Sequence, residues 1–384
     1  MQNSSLLNAH RGVAAIFVLN GGLIGAWAAR IPDVKHVLHL DESTLGLLLL
    51  LLAGGAIASF PFAGYFSDRF GAAVVSKALV ILYVFSLIGI AASAQLWQLA
   101  LALFIFGAVH GGMDVAMNTW GAEIEQKREK PIMSGLHAMF SIGAGVGAGS
   151  GAAASSFEIS VLSHFVLFGV VMGAGAIFFT RSTWPRSDSQ NRNGRLFFAI
   201  PKGSLALVGV IAFCSAVGEG AVADWSAVYL VDVLKATTAQ GALGYAFFSI
   251  AMVAARLMGD SVIENFGRKR TARFSGATAA AGALVAVLAP NIWVNWLGFV
   301  LMGAGYALIF PMAFSRAAND PRMTPGAAMA ATATLGHGGS LFGPPTIGFI
   351  AQASSLRVSF VLLVFLALLI TAFATAMQQP PRKT

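Results

Sequence analysis

Twelve runs of mostly apolar residues follow one another along this chain, separated by short polar stretches. Each is close to the roughly 20 residues that carry an α-helix through the hydrocarbon core of a bilayer. They lie near 9–30, 43–65, 74–93, 96–120, 132–154, 160–180, 203–231, 239–260, 272–289, 292–314, 326–350 and 355–377, taken below as spans 1 to 12. A water-soluble core cannot hide so much apolar surface. Hydrophobic residues make up 57% of the chain and charged residues 10%, against about 45–50% and about 25% in soluble domains. Glycine, 43 of 384 residues, suits close helix packing in lipid. The expectation is an all-α membrane protein with the bilayer as its solvent.

The net charge of +8 would suit nucleic acid, but the charges sit in short loops between apolar runs. Membrane topology accounts for them, and no nucleic-acid partner is expected. With the N-terminus in the cytoplasm, all but four of the 24 Lys and Arg fall on the cytoplasmic side; the four are Arg30, Lys35, Lys235 and Arg357. This is the positive-inside bias. A missed span would reverse every later loop and spoil it, so both termini are expected in the cytoplasm of a bacterial inner membrane. Little basic character precedes Arg11, so span 1 reads as uncleaved. Cys214, the single cysteine, excludes an internal disulfide.

The longest polar stretch, about 181–202, falls at the midpoint and has a linker composition. It suggests an N-terminal bundle over 1–185, a cytoplasmic linker over 186–202 and a C-terminal bundle over 203–384. The halves resemble each other. Gly22 and Trp27 match Gly220 and Trp225 at an offset of 198. Asp68-Arg69-Phe70-Gly71 matches Glu264-Asn265-Phe266-Gly267 at 196. His137, Ser141 and Gly143 find counterparts in His337, Ser340 and Gly343. Near-constant offsets point to two pseudo-symmetric repeats of six spans, an arrangement that places a transporter's site near the midplane.

The stretch Gly64-Tyr65-Phe66-Ser67-Asp68-Arg69-Phe70-Gly71 resembles the cytoplasmic signature of the major facilitator superfamily, Gly-x-x-x-Asp-Arg-x-Gly-Arg-Lys/Arg. This copy ends in Ala72-Ala73 instead of a basic pair. The second copy keeps Gly267-Arg268-Lys269 but carries Glu264-Asn265 at the acidic-basic step. The resemblance covers the whole chain and implies the major facilitator fold of twelve transmembrane helices. Asp68, Arg69, Glu264 and Arg268 are then expected to form a cytoplasmic gate, whose contacts form in one state and break in the other. The plainer alternative is a surface charge cluster that sets topology.

Asn20-Gly21 through Pro32, Asp114 to Asn118, Leu136-His137 with Ser141-Ile142-Gly143, and Glu219-Gly220 with Asp224-Trp225 resemble the MosC-like branch, which includes the YbjJ-like inner-membrane proteins. That branch is associated with rhizopine, an amino-inositol derivative, although most of its members have no assigned substrate.

Ionisable groups at bilayer depth are costly and usually face a cavity. His110, Asp114 and Asn118 recur at steps of four on one face of span 4. Span 7 holds Glu219 near its middle. Asp114, Glu219 and His137 are the proton-coupling candidates: a dry cavity disfavours the charged form of a carboxylate, whereas a nearby His137 would favour ionised Asp114. The plainer alternative for Asp114 is a structural hydrogen bond between helices. His110 reads as a packing histidine. Asn20, Asn118, Trp225, Tyr306 and His337 are candidates for substrate contact; the resemblance implies that spans 1, 4, 7 and 10 line the cavity, flanked by 5 and 11. Arg30 with Trp27 reads as an interfacial anchor or a periplasmic gate, and Asp224 with Trp225 as the matching gate in the other half.

The leading reading is a secondary carrier of a small polar solute (sugar, polyol or amine-like), working by alternating access and coupled to protons. No Arg or Lys is expected near mid-depth, which disfavours anionic substrates. A drug or metabolite exporter is the second reading, and a non-transporting membrane receptor or sensor is a third. No convincing Ser/His/Asp or Cys/His set, metal cluster or Walker-type loop points to an enzyme or an ATP-driven pump. No cofactor is expected, and the chain is expected to act as a monomer in the lipid bilayer.

Overall fold

The computed structural model describes residues 2–128, 132–181, 184, 203–320 and 325–378. Among these residues every regular element is helical: α1 (Gln2–Val37), α2 (Glu42–Phe70), α3 (Ala72–Ala91), α4 (Leu96–Arg128), α5 (Met133–Ser156), α6 (Val161–Phe179), α7 (Ser204–Leu234), α8 (Thr238–Leu288), α9 (Ile292–Tyr306), α10 (Ile309–Ala318), α11 (Pro325–Ala353) and α12 (Leu356–Phe373), followed by a 3-10 turn (Ala374–Met377). Ten segments of the described residues are long and apolar enough to cross a membrane. The Gly- and Ala-rich α5 and α11 complete twelve crossings. Gly267 breaks α8 into two arms that each cross, whereas α9 and α10 share one crossing.

Side-chain caps mark several helix starts. Asp41 accepts from the Thr44 N–H at 2.7 Å, Asn291 from Val294 at 3.1 Å and Ser355 from Val358 at 3.2 Å. Each satisfies a backbone donor that the first helical turn leaves free. At Asp41 the Thr44 backbone bond, helped by Ser43, holds the carboxyl below its ordinary range.

The chain divides into two compact units, residues 1–192 with 237–246, and 193–236 with 247–384. The expected linker, 186–202, lies outside the described residues. In the first unit, α1 packs on α5 at close range: a Cβ on Gly21 would strike the Phe140 carbonyl, and one on Gly143 the Val18 carbonyl. Small residues let backbones approach this closely in lipid, where no hydrophobic drive separates helix from solvent. Helix α2 packs on α4 in the same way, through Gly55 and Gly107. The second unit repeats the pairing six spans later. Helix α7 meets α11, where Gly339 lies against Phe213, and the first arm of α8 meets α9, where Gly303 lies against Phe248. Its core also holds Tyr229, whose ring lies 4.5 Å from that of Phe360 and whose hydroxyl donates to the Ala286 carbonyl at 3.0 Å.

Both copies of the signature turn on a glycine. Gly71 has φ 93° and ψ 135°, and Gly267 has φ 74° and ψ 155°. This backbone region is essentially reserved for glycine. The two positions are 196 residues apart, the offset of the motif itself.

Candidate functional site

In the first unit, three helices bring polar groups to one point. The His110 Nδ1 of α4 lies 2.7 Å from the Tyr83 hydroxyl of α3 and 2.9 Å from Asn20 Oδ1 of α1. Tyr83 and Asn20 are fully buried. The Asn20 amide also faces the Met117 sulfur at 3.6 Å. Asn20 Oδ1 can only accept, so its contact is a hydrogen bond in the tautomer that carries the proton on Nδ1, while the Tyr83 hydroxyl can donate to or accept from that nitrogen. His110 thus links three helices through one ring nitrogen. One turn along α4, Asp114 accepts from Asn118 Nδ2 at 3.0 Å, and the same amide donates to the Asp114 carbonyl at 2.8 Å. The steps of four therefore produce a pre-set Asp114–Asn118 pair on the His110 face. His137 is exposed at the start of α5, edge-on to Phe17 at 5.4 Å.

In the second unit the polar centre lies mid-way along α7. Glu219 accepts from Ser215 Oγ at 3.0 Å, one turn earlier. Its other carboxylate oxygen lies 3.8 Å from an Arg256 Nη of α8. Arg256 also donates from Nε to the Ala307 carbonyl at 3.3 Å, where α9 gives way to α10. Interrupted helices of this kind recur at transporter binding sites, since loosened backbone carbonyls can take polar partners there. Tyr306, at the same break, packs its phenol against the backbone of Gly218, so that a Cβ on Gly218 would overlap the ring. The Tyr306 hydroxyl is buried without a hydrogen-bond partner among the described residues.

The position of Arg256 corrects one expectation. Counted along the chain, it belongs to the cytoplasmic end of span 8. Its long side chain instead brings the charge to the middle of α7, as extended basic side chains can. A cation therefore does stand near mid-depth, neutralised by Glu219.

The remaining candidates are spread through both units. Trp225 is fully buried, as is its repeat mate Trp27, and the indole N–H of each lacks a partner among the described residues. Asp224 is half-buried on α7. The side chain of His337 lies outside the described residues. Arg30 is buried, pairs with Asp33 at 2.6 Å and donates to the Ile159 carbonyl at 3.0 Å, so it ties the end of α1 to the α5–α6 turn. At the first signature, Arg69 donates to the Tyr65 hydroxyl at 2.8 Å and lies over the Phe70 ring. At the second, Arg268 donates to Ser315 of α10 at 2.8 Å, whereas Glu264 is exposed. Among the described residues no group of three His, Cys, Asp or Glu could hold a metal ion.

Tyr83, Ser215 and Arg256 escaped the sequence reading. Serine one turn before a mid-span carboxylate was a usable signal. Tyr83 offered none, because nothing in span 3 shows that its one phenol faces His110.

The model of the Major Facilitator Superfamily matches residues 12–336 and 208–384. An uncharacterized transporter, y4wD of Sinorhizobium fredii, is 41% identical over 97% of this chain and 99% of its own length. Membrane protein MosC of Rhizobium meliloti is 33% identical over 90% of this chain and 84% of its own. Among solved structures, the fold is shared with a point mutant of the nucleoside transporter NupG (TM-score 0.78, 13% identity, 97% of this chain and 99% of that one). It is shared also with a D-xylose–proton symporter (TM-score 0.76, 16% identity, 98% of each chain). The twelve crossings, the repeated helix pairing and these relatives identify the chain as a multi-pass membrane transporter of the Major Facilitator Superfamily, in its MosC-like branch.

Proposed function

We propose that this transporter carries a small polar solute (a sugar, polyol or amine-like molecule) across the bacterial inner membrane by alternating access, and that protons drive it. The observation that carries the reading is the Glu219–Ser215–Arg256 cluster midway along α7. One proton on Glu219 removes its charge and dissolves the pair with Arg256. That proton thereby releases one Arg256 Nη from the carboxylate, while Nε keeps the Ala307 carbonyl, and gives Glu219 an OH that can donate. A ligand favouring one of those two states shifts the equilibrium between them, which is what coupling requires.

The polar groups also bear on the solute. Amide, imidazole, phenol and carboxylate groups cluster at Asn20, Tyr83, His110, Asp114 and Asn118. They offer donors and acceptors without net positive charge, which suits hydroxyl groups or an amine. While Glu219 is ionised it balances Arg256, so the intact pair does not recruit an anion. A D-xylose–proton symporter and a nucleoside transporter share this fold, so the architecture accommodates hydroxyl-bearing solutes.

The test begins with a thermal-shift screen of sugars, polyols and amines on purified protein, where binding to the native state raises apparent stability by mass action. Uptake of the solute so found is then measured in proteoliposomes with an imposed pH gradient. Accumulation that follows the gradient supports the reading. Transport that ignores it would overturn the proton coupling, and a preference for anions would overturn the solute class.

A further inference from the structure

The second unit carries a cavity of about 850 Å³ at the break in α8, lined by Phe266, Arg268, Lys269, Arg270, Arg273 and Gln378. Four cations thus face one space, and its described lining holds no carboxylate. Arg268 spends one Nη on Ser315; its other Nη is buried without a hydrogen-bond partner among the described residues. A buried charged donor left unsatisfied is expensive, and among the described residues this one has no acceptor, so the site is suited to an anionic ligand. A positive-inside distribution accounts for basic residues on this side but not for their convergence on a cavity.

A second depression adjoins the first. It measures about 390 Å³ and shares Phe266 with it. Its walls are Met258 and Val262 on the first arm of α8, Phe274 and Thr278 on the second, and Ala304 and Leu308 beyond. The mouth is apolar: Met258, Phe266 and Phe274 are more than half exposed. In a protein of this class such residues face acyl chains. A polyvalent basic pocket and an apolar groove with an exposed mouth thus share Phe266 in their walls.

We propose that this composite site binds one anionic phospholipid of the cytoplasmic leaflet. Its phosphate lies among Arg268, Lys269, Arg270 and Arg273, and an acyl chain lies in the groove beside Phe274 and Ala304. The phosphate supplies the acceptor that one Nη of Arg268 lacks among the described residues. The groove supplies what a soluble anion would not need, and basic pockets between membrane helices on the cytoplasmic side are suited to anionic headgroups. Because the lipid would touch both arms of α8 on either side of Gly267, it would hold the bend that the signature glycine creates.

The test is native mass spectrometry of the purified full chain, titrated with phosphatidylglycerol, cardiolipin or phosphatidylcholine. The wild type should retain an anionic lipid in preference to phosphatidylcholine. R270Q/R273Q alters two exposed side chains, and retention should weaken about 30-fold, from roughly fivefold for each cation near an anionic lipid surface. A304L, which fills the groove and leaves the charges in place, should also weaken it. R11Q/R181Q removes two cations elsewhere and should leave retention unchanged. Equal retention of zwitterionic and anionic lipids would overturn the proposal, as would equal weakening by R11Q/R181Q. A thermal shift produced in full by inorganic phosphate would overturn the choice of lipid as ligand.

Discussion

The Glu219 carboxylate and the Arg256 guanidinium approach to 3.8 Å midway along α7, with each side chain mostly shielded. Such a pair is costly to break from one side, because the survivor is left as an uncompensated charge. E219Q and R256Q are each expected to lower stability by about 1–3 kcal/mol, below the figure for a fully buried pair because both groups retain some exposure. The double variant E219Q/R256Q should recover part of that loss. Thermal midpoints of the three purified proteins check this; strict additivity would show that the two charges do not interact.

For transport, E219Q should separate exchange from accumulation. A glutamine keeps the hydrogen bond with Ser215 but cannot take up and release a proton. Counterflow of solute across equal pH should persist, while accumulation against a gradient should fall at least about tenfold, the scale of a 1.4 kcal/mol coupling term. Both assays run on the same proteoliposomes, and undiminished accumulation would remove Glu219 from the coupling step.

At the Tyr83–His110–Asn20 hub, Y83F deletes one hydroxyl and leaves the ring packed against Phe106, 5.0 Å away. The loss of one hydrogen bond at a buried imidazole is worth about 0.5–1.5 kcal/mol. Solute affinity should therefore weaken about two- to tenfold while the fold is retained. H110A also strands Asn20 Oδ1 and Tyr83 Oη together, and its effect should exceed that of Y83F. Isothermal titration with the solute from the screen provides the readout. Identical affinities in wild type and both variants would confine the hub to structure.

These side chains show where reading the chain stops being sufficient. Span number and the repeat were legible because bilayer thickness fixes helix length and because the offsets of Gly22, Trp27 and Asp68 are nearly constant. Glu219 stood out because an acid amid apolar residues has few ordinary explanations. Arg256 did not, since counting residues gives the depth of its backbone and not of its guanidinium. Trp225 reads as a substrate-contact candidate in sequence and is fully buried in the structure: a helix apolar on all sides conceals which face meets a cavity. His110 drew its meaning from Tyr83, two helices' worth of chain away from Asn20, and only packing could unite the three.

Gly267 tests the backbone logic of the signature. Beyond its own chain neighbours and helix backbone, no atom of the described residues lies within 4 Å of where its Cβ would be, so substitution meets no wall from a neighbouring element. The whole penalty is conformational, because φ 74° with ψ 155° is a region that side chains avoid. G267A should destabilise by about 1–3 kcal/mol, and G267V should be at least as costly. Urea or thermal midpoints measure it. A neutral G267A would mean that α8 can straighten or re-bend at this point without loss.

The α1–α5 crossing permits a sharper comparison between two glycines on one helix. A Cβ on Gly143 would collide with the Val18 carbonyl, whereas one on Gly149 meets nothing within 4 Å. Both lie in the same helix and the same lipid phase, so helix propensity and hydrophobicity change equally when either becomes leucine. The difference between G143L and G149L is then the cost of forcing two backbones apart. Overpacking of a fitted interface costs about 1–3 kcal/mol, and a clash with a carbonyl, which cannot rotate away as a side chain can, belongs at the upper end. G143L should express poorly or melt earlier than wild type, and G149L should match it. Fluorescence-detected size-exclusion chromatography after graded heating resolves the two. Equal loss in both variants would assign the effect to the added side chain itself and not to close approach of α1 and α5.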